Sequence, residues 1–135
     1  MKATAIAHPI QGLIKYHGLK DSKLRIPFHD SISVCTGALH TTTTVETDEA
    51  LKEDLIIVNR RRLLGRDRER VETILIALKA MADYSGYFKV VSANSIMGGK
   101  GLGFSASGFA ALGLAASASL NLDIDYVTLC ETVRL

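Results

Sequence analysis

Short β-like segments fill the first part of the chain: Lys2 to Ala7, Ser31 to Gly37, Thr41 to Thr47 and Leu55 to Val58. The run Thr41-Thr42-Thr43-Thr44-Val45 is β-branched throughout, which suits a pleated surface and disfavours helix, and it reads as a strand with one wet face. From Arg70 to Asp83 the period changes. Val71, Ile74, Leu75, Leu78 and Met81 recur at helical spacing, so one stripe faces a core while Arg70, Glu72 and Lys79 stay in water. Ser85-Gly86 ends that helix, and Phe88 to Ala93 reads as a strand running into a glycine-rich turn. Beyond the turn, Phe104 to Leu120 is built from Ala, Ser and Leu with small residues on almost every face, the pattern of a helix packed on most sides. A last helix starts near Asp123 or Asp125, whose carboxylate can cap free N–H groups, and runs through Tyr126, Leu129, Cys130 and Val133. The order of elements predicts an α+β fold with a mixed or antiparallel sheet and helices packed on one side.

Composition narrows the class. The chain has 135 residues, 47% hydrophobic and 22% charged with two prolines, which is enough for one globular core and unlike a disordered chain. A formal charge of +2 is too small to imply a nucleic-acid or membrane partner through the overall field. The N-terminus, MKATAIAHPIQG, has too few apolar residues before His8 and Pro9 for a secretory signal. The most apolar stretch, Phe104 to Leu120, carries four serines and is shorter than a membrane span of roughly 20 residues. Cys35 and Cys130 lack the spacing of a metal knuckle or a redox pair and read as reduced, core-packed thiols in a cytoplasmic protein.

Candidate chemistry lies in two segments. The stretch Met97 to Gly108 carries five glycines between a strand and a helix. Glycine lets the backbone take positive φ and approach a ligand closely, and the first turn of the following helix presents unpaired N–H groups and a positive dipole end. That is a phosphate site, with Gly98, Gly99, Lys100, Gly101 and Gly103 forming the cradle and Ser105 and Ser107 offering hydroxyls. The glycine spacing matches neither the P-loop nor the dinucleotide fingerprint, and a plain structural loop is the competing reading. The second segment is Ile14-Lys15-Tyr16-His17-Gly18-Leu19-Lys20-Asp21. Here Lys15, His17 and Lys20 supply cations and Tyr16 a hydroxyl near a glycine turn, a candidate anion-recognition loop set against a solvated connection between strands.

Other clusters carry less. Six arginines fall within the eleven residues from Arg60 to Arg70, offset by Asp67 and Glu69. No aromatic residue is interleaved for base stacking, so the stretch reads as a solvated, partly ion-paired loop leading into the helix at Arg70, with nucleic-acid contact the lesser alternative. His8, His29 and His40 have no metal-ligand spacing and read as local hydrogen-bonding residues, and no metal site is expected from the sequence.

The two segments together carry a resemblance. Gly101-Leu102-Gly103-Phe104-Ser105-Ala106-Ser107-Gly108-Phe109-Ala110-Ala111-Leu112 resembles the Gly-Leu-Ala-Ser-Ser-Ala-x-Gly-Phe-Ala-Ala-Leu segment of the mevalonate diphosphate and phosphomevalonate decarboxylases of the GHMP kinase superfamily. Ile14 to Asp21, the downstream Leu24-Arg25-Ile26-Pro27 and Ser31-Ile32-Ser33-Val34 resemble that family's Ile-Lys-Tyr-Trp-Gly-Lys-Arg-Asp, Leu-x-Leu-Pro and Ser-Leu-Ser-Val in order and spacing. Departures are Met97 for proline, Phe104 for the first serine, His17 for tryptophan, Leu19 for the second lysine and Ile10 for an asparagine.

The resemblance implies a GHMP-type N-terminal domain, similar to a ribosomal-protein domain. Its glycine loop would hold ATP with Mg2+, and Lys15 and Tyr16 would face a phosphorylated mevalonate. It implies phosphorylation of the tertiary hydroxyl followed by loss of phosphate and carbon dioxide to give an isopentenyl product. With Leu19 in place of lysine, the monophosphate is the expected substrate and the diphosphate the alternative. The family's Gly-Ser-Gly-Ser-Ala-x-Arg segment and catalytic aspartate would come after Leu135. Residues 1–135 are therefore expected to form an incomplete domain, silent alone and working with a C-terminal partner chain or as a homodimer. A non-catalytic nucleotide-binding or assembly module is the alternative. Apolar faces at Leu129, Val133 and the Phe104 to Leu120 helix are expected to stand uncovered and to favour association.

Overall fold

The computed structural model describes residues 1–97 and 101–134. Along the chain run β1 (Lys2–Ala7), β2 (Ile10–Ile14), β3 (Leu19–Asp21), β4 (Ile26–Pro27), β5 (Ile32–Cys35), β6 (Thr41–Asp48), β7 (Leu55–Val58), β8 (Arg61–Arg62), α1 (Gly65–Met81), β9 (Tyr87–Asn94), α2 (Phe104–Ser119) and α3 (Tyr126–Arg134). Five strands form one mixed sheet in the order β1-β6-β9-β7-β8, and β2 with β5 and β3 with β4 form separate two-stranded ribbons. β1, β6 and β9 are antiparallel neighbours, while β7 lies parallel to β9. A parallel pair needs a crossover, and the segment carrying α1 supplies it.

The threonine run forms the strand that its branched side chains predict. Thr41, Thr43 and Val45 point inward from β6 beside Phe88, Val90 and Ser92 of β9. The inward hydroxyls are satisfied, as burial requires, since Thr43 and Ser92 share a hydrogen bond of 2.8 Å. Against this face pack Val71, Ile74, Leu75 and Leu78 of α1, the small residues of α2, and Leu129 of α3, in one core. Each fully buried leucine contributes about 1.5–3 kcal/mol. Gly113 is what allows α3 so close, because a Cβ there would run into Val133.

The helix in the arginine-rich stretch starts earlier than its apolar stripe suggests. α1 begins at Gly65, so Arg66, Arg68 and Arg70 are helical and Arg61 and Arg62 form β8. Ion pairing explains the extension: Arg68 meets Glu72 one turn on at 2.7 Å and Glu53 at 2.8 Å, and Arg62 meets Glu53 at 2.6 Å. The Arg68 and Arg62 guanidinium groups hold the Glu53 carboxyl below its ordinary range. Met81, read as part of the buried stripe, lies in the last turn and is exposed.

Two further expectations are corrected. Cys35 and Cys130 are free but exposed, because β5 belongs to a ribbon open on its faces and Cys130 sits beside, not on, the buried Leu129 and Thr132 stripe of α3. Leu129 and most of α2 are buried and Val133 packs against the core, so these faces are not where the chain leaves apolar surface uncovered.

Asp125 caps α3 as its position implies. Its carboxylate accepts the Thr128 hydroxyl at 2.6 Å, the Val127 N–H at 2.8 Å and the Thr128 N–H at 3.0 Å. These donors, the Thr128 hydroxyl foremost, lower its pKa. A carboxyl with a lowered folded pKa stabilises fully above its unfolded value and loses that contribution as pH falls through the folded one. Acid titration followed by circular dichroism should therefore show helix lost on the acid limb, and Asp125→Ala should remove that pH dependence.

Candidate functional site

The cap residue of α2, Gly103, is left-handed with φ 76°; among the described residues no side chain makes a capping hydrogen bond there, and the first turn has no acidic residue to neutralise the dipole. Free N–H groups with a positive dipole end make an anion-binding position. Gly101 is left-handed too, at φ 81°. Gly98, Gly99 and Lys100, also assigned to the cradle from the sequence, lie outside the described residues.

The second segment arrives at the same place. β2 runs past the turn before α2 so closely that a Cβ on Gly103 would collide with the carbonyl oxygen of Ile10. Gln11 Nε2 donates to Gly101 O at 3.3 Å, tying together positions 90 apart in sequence. Between them is a cleft of about 430 Å³ whose polar lining includes Gln11, Lys15 and Ser105. The Lys15 side chain folds over Gly12, where a Cβ would lie 3.1 Å from Lys15 Cε. Among the described residues lining the cleft there is no carboxylate.

Phe104 and Ser105 also line a second cavity, of about 250 Å³, between α1, α2 and the sheet. Its walls are mainly apolar, with Asp67, Arg70 and Asn94 among the polar groups. Arg70 stacks on Phe109, with Cζ 4.9 Å from the ring centroid, which fixes the guanidinium beside the cavity. Ser105 thus stands where two cavities meet, one carrying Lys15 and the other Arg70.

The structure separates the remaining candidates. The Ser107 assignment is corrected: the side chain is buried, shares a 2.7 Å hydrogen bond with Thr41 Oγ1 and donates towards Phe104 O at 3.1 Å, so its hydroxyl points into the protein. Tyr16, His17 and Lys20 do not line the cleft. The His17 N–H donates to His29 Nε2 at 3.2 Å, and His29 Nδ1 pairs with Asp30 O at 2.9 Å, which holds this turn against the β3–β4 hairpin. His8 Nδ1 pairs with Leu39 O at 2.8 Å. Among the described residues no three His, Cys, Asp or Glu side chains could jointly hold a metal, and no helix is long and apolar enough to cross a membrane. Gln11 and Asp67 were not assigned to a site from the sequence, where Asp67 read as an offset to the arginine run.

Known proteins resemble the chain over almost its whole length. The family model described as diphosphomevalonate decarboxylase-like N-terminal domain matches residues 7–135. The phosphomevalonate decarboxylase of Haloferax volcanii is 44% identical over 124 residues, covering 92% of this chain and 38% of that protein. The crystal structure of mevalonate diphosphate decarboxylase from Staphylococcus aureus superposes with a TM-score of 0.89 at 31% identity, over 98% of this chain and 40% of the other. A structure of MDDEF in complex with MVAPP, AMPPCP and magnesium gives a TM-score of 0.88 at 32% identity, covering 98% and 41%. The chain spans well under half the length of each of these relatives.

Proposed function

Because the chain belongs to the diphosphomevalonate decarboxylase-like N-terminal domain family, we propose that it supplies the phosphate-binding part of an ATP-dependent decarboxylase of phosphorylated mevalonate. The observation that carries this reading is the convergence of Lys15 and the uncapped start of α2 on one cleft, with Ser105 at the junction to a second, mostly apolar cavity.

ATP supplies the phosphoryl group that turns the substrate's tertiary hydroxyl into a leaving group. That transfer leaves ADP, and loss of the new group as phosphate, with carbon dioxide, then gives the alkene. This chain's residues bind and orient. The N–H groups at the start of α2 and the Ser105 hydroxyl face the nucleotide phosphates, and the apolar cavity beside Arg70 and Phe109 takes the base. Lys15 neutralises anionic oxygens on the cleft side and so helps bring substrate hydroxyl and phosphate into contact. Mg2+ would be carried by the ATP phosphates with the Ser105 hydroxyl beside it, and no step is assigned to a protein-held metal. The MDDEF structure is a complex with AMPPCP and magnesium, and the chain would bind ATP with Mg2+ in the same way.

The favoured substrate is mevalonate 5-phosphate. Two points support it: 44% identity to a phosphomevalonate decarboxylase against 31% to the Staphylococcus diphosphate enzyme, and Leu19, which stands where the family motif that Ile14 to Asp21 resembles has a lysine. A charge-assisted contact to a buried anion is worth about 1.5–3 kcal/mol, or roughly ten- to a hundredfold. In a complete enzyme carrying this chain, kcat/KM for the monophosphate should exceed that for the diphosphate by at least about tenfold. Leu19→Lys should narrow the gap. Because Leu19 sits on β3 opposite Pro27 rather than in the cleft lining, an unchanged ratio would assign the choice to other residues, and a diphosphate preference in the unmodified chain would reject the monophosphate reading.

A further inference from the structure

Six polar residues line the cavity between α1, α2 and the sheet: Thr43, Asp67, Arg70, Ser92, Asn94 and Ser105. Thr43 and Ser92 are satisfied by each other. Arg70 lies over the Phe109 ring, and Ser105 also borders the cleft with Lys15. What remains is an unlike pair. Asn94 continues the inward face of β9 set by Phe88, Val90 and Ser92, so its amide turns to the cavity side of the sheet. Its Oδ1 accepts from Thr41 Oγ1 at 2.9 Å, which leaves Nδ2 as the end that can donate. Thr41 Oγ1 in turn shares a 2.7 Å hydrogen bond with the buried Ser107, so the amide is oriented from within the fold. Asp67 is exposed on the first turn of α1, and among the described residues its carboxylate enters no ion pair, with Arg66 and Arg70 close by on the same helix. One mostly apolar cavity therefore holds an acceptor without a donor and a donor without an acceptor.

We infer that Asp67 and Asn94 select the nucleobase in this cavity, Asp67 accepting from the exocyclic amine of adenine and Asn94 Nδ2 donating to a neighbouring ring nitrogen. An oxopurine turns a carbonyl oxygen towards the carboxylate instead, acceptor against acceptor, and is refused. Apolar walls hold any flat ring of the right size, whereas an edge that must be hydrogen-bonded rejects the base that cannot complete it. Because Asp67 is open to water, the discrimination is about tenfold rather than the far larger factors of a fully buried edge. The inference rests on the proposal that this cavity takes the base, and it adds which base and through which residues.

The test compares ATP with inosine triphosphate, which differs from it only on that edge, a carbonyl and a ring N–H replacing the amine and ring nitrogen. Calorimetry reads the binding of each, with Mg2+, to the purified chain. ATP should bind about tenfold more tightly. Asp67→Asn, whose amide can donate as well as accept, should bring the two nucleotides within about threefold of each other. Asn94→Asp, which keeps an acceptor for Thr41 and removes the donor, should weaken ATP by about tenfold. Glu69→Gln, the same loss of charge on α1 but outside the cavity lining, should leave the ratio where it was. Equal affinity for the two nucleotides, a preference for ATP that survives Asp67→Asn, or ATP affinity undiminished by Asn94→Asp would each overturn the inference and leave the cavity standing as a nucleotide site. Binding of neither nucleotide would reject the cavity as a base site, and the inference with it.

Discussion

Alanine at Gly103 is expected to disable the cleft. The residue sits at φ 76°, and the atom its Cβ would strike is the Ile10 backbone carbonyl, with Ile10 N and C each 3.1 Å away. Backbone cannot rotate aside as a side-chain tip can, so the start of α2 and β2 must part. Left-handed strain of about 1–2 kcal/mol and an overpacking penalty of about 1–3 kcal/mol both apply. Denaturant unfolding should show the summed loss, and affinity for ATP, read by calorimetry, should fall at least about a hundredfold as the N–H groups leave register, a loss of roughly 3 kcal/mol. Two neighbouring glycines serve as controls. Gly101→Ala, at φ 81° with open space around it among the described residues, should show the strain without the collision. Gly108→Ala, open and inside α2, should stabilise by about 0.5–1 kcal/mol through helix propensity.

Removing the Asp54 carboxylate should produce the largest stability loss of any single polar change. Asp54 is nearly buried; its oxygens accept from Lys79 Nζ at 2.8 and 2.9 Å and from the Phe88 N–H at 2.7 Å. Lys79 is held over the Phe88 and Tyr87 rings, 4.9 and 5.2 Å from their centroids, and cannot swing freely into water. Asp54→Ala leaves an ammonium and an amide without their acceptor, which costs about 3–5 kcal/mol, a large part of a typical domain's stability. Urea unfolding checks it, and Asp54→Leu with Lys79→Met should recover most of the loss. If the single change costs less than about 1 kcal/mol, water reaches the pair and the network is not a core feature.

Periodicity revealed the frame because burial on one face writes itself into the sequence. The alternation in Thr41 to Val45 and in Phe88 to Ser92, and the small-residue helix after Gly103, follow directly from what each face touches. Where charge replaced apolar spacing, the boundary moved: the first turn of α1 is held by Arg68 with Glu72 and Glu53, pairs that carry no hydrophobic period. β2 was hidden for another reason. Ile10-Gln11-Gly12 has a glycine and a polar residue where a strand pattern would show branched side chains, and the strand is held by pairing with β5 and by the approach of Gly103. The site was legible by residue type but not by assembly. Lys15 and Ser105 could be nominated from their motifs, yet their meeting at one cleft depends on a β2–α2 contact made far apart in the chain. Ser107 failed because its place in the first turns of α2 turns it inward to Thr41, which its position in the motif does not reveal.

The most direct measurement is turnover. The chain, joined to the remaining part of the Haloferax relative, should convert mevalonate 5-phosphate with ATP and Mg2+ into an isopentenyl phosphate, releasing one carbon dioxide and one phosphate per ATP consumed. Lys15→Ala and Ser105→Ala should each lower kcat/KM by about a hundredfold or more while leaving the fold intact, as groups acting on developing charge do. If the joined protein folds, binds ATP and releases no carbon dioxide from either phosphorylated mevalonate, or if it does so unaffected by both substitutions, the cleft between β2 and α2 is not the site of this chemistry.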